Sequence, residues 1–216
     1  MHSRYKSPLL YKVVYWAFVV ISAAISIELM RHSLPRYLPK DWAAVHELDV
    51  LTDWKAARMF RLGVSPYTTL GLSMLGTGQQ QVGWPPTTGF WFLPMTDFPK
   101  AIVAELMSIT IFILLVPHLY LTAKTLKWPA PLSVAILGTG LVMSTIWAQY
   151  HFDIIQVSEH IAFLYVIAWL CLRRGMDVRA GICIGAAMTL KLFPGLMVVM
   201  LLLGRRWRGV AAATVT

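Results

Sequence analysis

Apolar residues in this chain come in long runs, with the charged residues gathered at the joints. Residues 13–30, 101–121, 132–150, 161–172 and 180–203 are each dominated by aliphatic and aromatic side chains. A hydrocarbon layer about 30 Å thick takes roughly 20 consecutive apolar residues per helix, and several of these runs approach or reach that length. Backbone inside lipid must satisfy its own hydrogen bonds, which a helix does within one segment. The pattern predicts an all-α fold, a multi-pass transmembrane bundle forming one membrane domain over residues 1–216. Its first span is 13–30, a long polar loop covers 31–99, and further spans fill 100–216.

The 31–99 segment is far longer than a hairpin loop. It holds Pro35, Pro39 and Pro66 and a glycine-rich stretch at Gly76, Gly78 and Gly83. Between them, residues 53–62 fit a short amphipathic helix with Thr52 as N-cap and Trp54, Ala57, Phe60 and Leu62 on its apolar side. Such a helix is expected to lie along the membrane surface. Pro85-Pro86 opens an aromatic run (Phe90, Trp91, Phe92) that is too short to cross a bilayer. The last run is interrupted by Lys191 and Pro194. Proline breaks a helix interior, and a lysine at membrane depth needs water or a partner. Two short helices, a broken hairpin near 191–194 with its bend on an outward-opening cavity, are therefore expected.

Charge adds orientation. Only 13% of residues are charged, about half of what a water-soluble surface carries, and the mean hydropathy is +0.63. The net charge of +9 does not point to nucleic acid, because Lys and Arg sit at the joints and not on one soluble face. Read by the excess of cationic residues on cytoplasmic loops, Arg4, Lys6 and Lys12 place the N-terminus inside. Lys124, Lys127, Arg173, Arg174 and Arg179 then return to the inside, and the broken hairpin brings Arg205, Arg206 and Arg208 there too. Of the acidic residues only Asp177 falls inside, so carboxylate chemistry belongs to the outer face of a cytoplasmic membrane. The first run is too long for the core of a signal peptide and reads as an uncleaved helix. Cys171 and Cys183 lie in apolar runs without metal spacing and read as small buried side chains. The apolar start at Val210 before Thr216 suggests that the chain continues.

Three pieces, in order, resemble glycosyltransferase family 87 (the DUF2029 group), polyprenol-phosphate-dependent membrane enzymes of the GT-C fold. The first is Asp53 followed by a short helix and Gly63-Val-Ser-Pro66-Tyr67. The second is Trp84-Pro85-Pro86 leading to Leu93-Pro94. The third runs from Ala180-Gly181 through Lys191-Leu-Phe-Pro194 to Arg205-Arg206-Trp207. The chain is similar to an N-terminal portion of a member. It departs at Ala148-Gln149-Tyr150-His151, where members often carry Gly-Gln-x-Asn.

The resemblance implies a GT-C-like bundle and transfer of a hexose, such as mannose, from a polyprenyl-phosphate donor to a lipid or glycan acceptor. It implies Asp53 as general base, with Asp49 one turn earlier as its alternative. A base must reach the acceptor hydroxyl; the plainer role for Asp53 is a first-turn acid complementing a helix dipole. Lys191 suits the charge of a leaving phosphate or, more plainly, snorkels to the interface. Arg58, Arg61, Tyr67, Trp84, Gln149 and His151 complete the candidate substrate-binding set, although arginines and aromatics at an interface are commonly lipid-facing. His46, Glu47 and Asp49 lack the second histidine of a zinc motif, since Val50 occupies that position. His151, Asp153, Glu159 and His160 form the other outer polar cluster, which fits a site for a divalent cation or the acceptor or, more plainly, a hydrated joint. No cofactor is indicated, a divalent metal being compatible but unsignalled, and the partners are the lipid-linked donor and membrane lipids. The rival class is a transporter or flippase, since discontinuous helices also mark transport sites.

Overall fold

The computed structural model describes residues 8–31, 49–68, 70, 86–145, 148 and 155–216. Every regular element among them is helical. In chain order these are α1 (Pro8–Arg31), α2 (Asp49–Arg61), α3 (Pro86–Phe92), a 3-10 turn at Leu93–Met95, α4 (Lys100–Thr125) and α5 (Pro131–Met143). They continue with α6 (Ser158–Arg173), α7 (Asp177–Leu190), a second 3-10 turn at Phe193–Gly195, α8 (Leu196–Leu203) and α9 (Trp207–Val215).

Among the described residues, two helices are long and apolar enough to cross a membrane. With 24 residues in α1 and 26 in α4, their lengths are about 36 and 39 Å at roughly 1.5 Å per residue. Only 17% of the apolar stretch of α1 and 33% of that of α4 is buried within the protein. Leu9, Val13, Trp16, Val20 and Ile27 on α1 all stand exposed, which costs little in hydrocarbon and much in water.

The chain forms two compact units, and α4 contributes to both. One unit holds α1, α4 from Leu115 onward, and α5. The narrow buried stripe of α1 (Val19, Ser22, Ser26) is small enough for close approach. Ser26 donates from Oγ to the Ile136 carbonyl at 2.6 Å, and a Cβ on Gly140 would lie 2.6 Å from the Ser26 Cα. Small residues let helix backbones meet where no hydrophobic force drives them together.

The run at 132–150 does not form one span. Helix α5 ends at Met143 after 13 residues, about 20 Å of helix. The Ser144 and Thr145 hydroxyls turn back onto the Leu141 and Val142 carbonyls. Such local hydrogen bonds compete with helix continuation, and hydropathy does not register them.

The other unit holds α2, α3, α4 up to Leu114, and α6 to α9. Helix α7 is its centre, packed on α6 and α9 around Ala168, Cys171, Ala180, Ile184, Leu201 and Ala213. Gly181 and Gly185 on α7 face Gly209 and Ala213 on α9, and a Cβ on Gly181 would fall 2.2 Å from the Gly209 carbonyl. The chain reverses between α7 and α8. Arg206, just past α8, pairs with Asp177 at the start of α7 at 2.9 Å.

Candidate active site

Helix α2 carries Asp53, and its start differs from the expected one. It begins at Asp49, so Thr52 lies inside the helix and is not the N-cap. Asp53 therefore stands beyond the first turn, where the helix dipole has faded, and it is buried at 5% exposure. Asp49 is the first residue of the helix. The buried side is also broader than the sequence suggested. Val50, Leu51, Trp54, Ala56, Ala57 and Met59 are covered, whereas Leu62 lies in the turn beyond the helix and is exposed. A helix covered on so much of its surface is a packed element and does not simply rest on a membrane.

Helix α3 and the turn after it provide much of that cover. A Cβ on Gly89 would sit 2.8 Å from the Phe60 ring, so any larger residue there would push the ring aside. The Trp54 indole donates to the Met95 carbonyl at 2.9 Å. Arg61 donates to the Thr96 hydroxyl at 2.8 Å and pairs with Asp97 at 2.5 Å. Arg58 lies 4.9 Å from the centre of the Trp54 ring, a cation–π contact. Both arginines thus have protein partners on the exposed side of the helix.

Tyr67 lies in the chain after α2. Burial raises its phenol above the usual value, and the Asp53 charge raises it further. The Tyr67 ring is 6.5 Å from Phe60, which stacks on Phe90 of α3 at 6.0 Å and 11°. Tyr67 and Phe90 are exposed, so an aromatic row runs from the loop after α2 onto α3.

The same short α3 grips the end of α7 where Lys191 begins the break. Pro194 has no N–H, so the Leu190 carbonyl four residues earlier lacks its helical donor. The Thr88 hydroxyl supplies one at 3.0 Å in a buried hydrogen bond. Thr87 and Thr88 also donate to the Thr189 carbonyl at 3.0 and 3.1 Å, and the Trp91 indole donates to the Thr189 hydroxyl at 2.8 Å. Lys191 itself is extended (φ −149°, ψ 151°) and 9% exposed. Asp53 and Lys191 thus sit on two elements joined through one seven-residue helix.

Beside this junction lies an apolar cavity of about 260 Å³ that Trp91, Phe92, Met107, Phe163 and Leu190 help to line. Its polar groups include His160 and Thr110, whose Nε2 and Oγ1 are 3.1 Å apart. His160, expected in a hydrated joint, instead meets α4 at the cavity wall. Among the described residues no three His, Cys, Asp or Glu side chains gather as a metal site.

Trp84, Gln149 and His151 lie outside the described residues, as do His46, Glu47 and Asp153. The threonines of α3 and the Phe60–Phe90 stack went unnoticed in the sequence. Their partners are remote in the chain, and no local pattern signals them.

No curated protein and no solved structure matches the chain. The sequence profile of glycosyltransferase family 87 matches residues 84–216, which takes in α3, the α7 break and Lys191 and begins after α2. That match covers well over half of the chain, and the protein belongs to glycosyltransferase family 87.

Proposed function

We propose that this membrane glycosyltransferase moves a hexose, mannose being the expected sugar, from a polyprenyl-phosphate donor to a lipid or glycan acceptor. The enzyme is read as a multi-pass GT-C bundle in the cytoplasmic membrane, N-terminus inside, working at its outer face. The observation that carries the reading is the pair of buried ionisable side chains, Asp53 and Lys191, on elements tied to the same helix α3.

In this reading Asp53 is the general base. It accepts the proton of the acceptor hydroxyl as that oxygen bonds to the anomeric carbon. The bond from that carbon to the phosphate oxygen breaks, and its electron pair leaves with polyprenyl phosphate. Lys191 holds the growing phosphate charge in place, an interaction that strengthens as the bond breaks. Asp49 is the alternative carboxylate. Tyr67 and Phe90 offer ring faces to the sugar, and Arg58, Arg61, Trp84, Gln149 and His151 complete the proposed binding set.

The test is transfer by membranes containing the Asp53→Asn protein, supplied with a polyprenyl-phosphate hexose. The reading expects normal expression and no product; product at the wild-type rate would sink it. The break at Lys191 also suits a transporter or flippase of a lipid-linked or anionic substrate. Movement of intact donor across sealed vesicles, without sugar transfer, would favour that second reading.

A further inference from the structure

The end of the α6–α9 unit remote from Lys191 carries chemistry that sugar transfer does not use. The α6–α7 turn brings Arg173, Arg174 and Arg179, and the α8–α9 turn brings Arg205, Arg206 and Arg208. All six are exposed. Asp177 is the one carboxylate in these two turns, and it is already paired with Arg206. The turns meet around that pair, since the Asp177 carbonyl lies 3.0 Å from where a Gly209 Cβ would be. Between them is a pocket of about 310 Å³ lined by Gly175, Met176, Asp177, Val178, Arg179 and Arg208. Two tryptophans flank the cluster. Trp169 lies under the Arg173 guanidinium at 5.8 Å, and Trp207 is exposed between Arg206 and Arg208.

We propose that this pocket binds the phosphate of an anionic phospholipid, with Arg179 and Arg208 as its two cationic walls. The Asp177–Arg206 pair uses up the negative charge within the pocket's surroundings and leaves Arg179 and Arg208 to meet a phosphate. A guanidinium fork matches phosphate geometry. Exposed tryptophans beside arginines fit the headgroup level, where one side of the ring is wet and the other apolar. Basic pockets between membrane helices take up anionic headgroups in this manner. The commitment is to a lipid and not to a free anion, because the apolar helices leading away from the pocket offer acyl chains a surface. Exposed Val178 and Ile182 on α7 lie along that path.

The experiment uses the purified full chain in detergent, titrated separately with phosphatidylglycerol and phosphatidylcholine, and counts bound lipids by native mass spectrometry. The wild type should take up phosphatidylglycerol in preference, and its melting temperature should rise with that lipid alone. Arg179→Gln with Arg208→Gln should weaken uptake about 25-fold, at about fivefold per cationic residue removed, and abolish the thermal shift. Arg173→Gln with Arg174→Gln, outside the pocket, should cost less. Equal uptake of the two lipids, an unchanged double variant, or loss of lipid to millimolar inorganic phosphate would overturn the proposal. No arm depends on sugar transfer, so its failure and that of the catalytic reading are separate results.

Discussion

The two ends of the α6–α9 unit treat charge in opposite ways. At the Asp177 end, six arginines stand in the open, one of them, Arg206, paired with Asp177. At the Leu190 end, an ammonium at Lys191 is buried, and Asp53 is buried on a helix joined to it through α3. The ends are separated by the 14 residues of α7, about 21 Å of helix. Exposed charge is nearly free, because solvent or headgroups stabilise it. Burying a charge costs several kcal/mol, roughly, unless it is paired and hydrogen-bonded, and perturbed titratable groups cluster at functional sites. On the proposed reading, the buried end does the chemistry and the exposed end meets the membrane surface.

The largest effect should come from removing the buried carboxylate. Asp53→Asn keeps the side-chain shape and should lower transfer by about 10²- to 10⁴-fold, the range for a lost general base, measured as product per mole of folded enzyme. Lys191→Met should cost about 10²- to 10³-fold, as expected when one group that stabilises developing charge is lost. A Lys191→Met enzyme with full activity would remove the ammonium from the site.

Thr88→Val tests the link between the two charges. It leaves the Leu190 carbonyl without its buried donor, at a cost of about 1–3 kcal/mol, seen as a lower melting temperature in detergent. Activity should fall with it if α3 sets the position of Lys191. At the other end, Asp177→Asn removes an ion pair whose side chains are 21% and 44% exposed. Such a pair is worth roughly 0–1 kcal/mol, so stability should hardly move and transfer should persist. A large loss of transfer there would break the contrast.

How much of this was legible in the sequence follows from the range of the interactions involved. The spans α1 and α4 are set by composition over more than twenty residues, and any long apolar run declares itself. The break after Leu190 was legible because a proline removes a specific hydrogen bond from a specific carbonyl. The end of α5 was not, since hydropathy continues past Met143 while two hydroxyls turn the chain. The early start of α2 escaped notice because Thr52 offered a persuasive cap within the helix.

The site itself was half legible. Asp53 and Lys191 were picked out by charge type and by resemblance. The elements that carry them pack on α3, a helix distant in sequence from both, through Gly89 against Phe60 and Thr88 on the Leu190 carbonyl. Arg61 is similar: its charge suggested a substrate contact, and its Nη1 contacts to Thr96 and Asp97 depend on residues remote in the chain.

The most direct test of the central claim separates binding of the donor from its reaction. Polyprenyl-phosphate hexose binding and single-turnover transfer would be measured on the wild type, Asp53→Asn and Lys191→Met. A base and a phosphate anchor in one site predict that Asp53→Asn binds donor normally and does not transfer it, whereas Lys191→Met binds donor more weakly and transfers it more slowly still. Transfer by Asp53→Asn at the wild-type rate, or undiminished donor binding by Lys191→Met, would contradict the account.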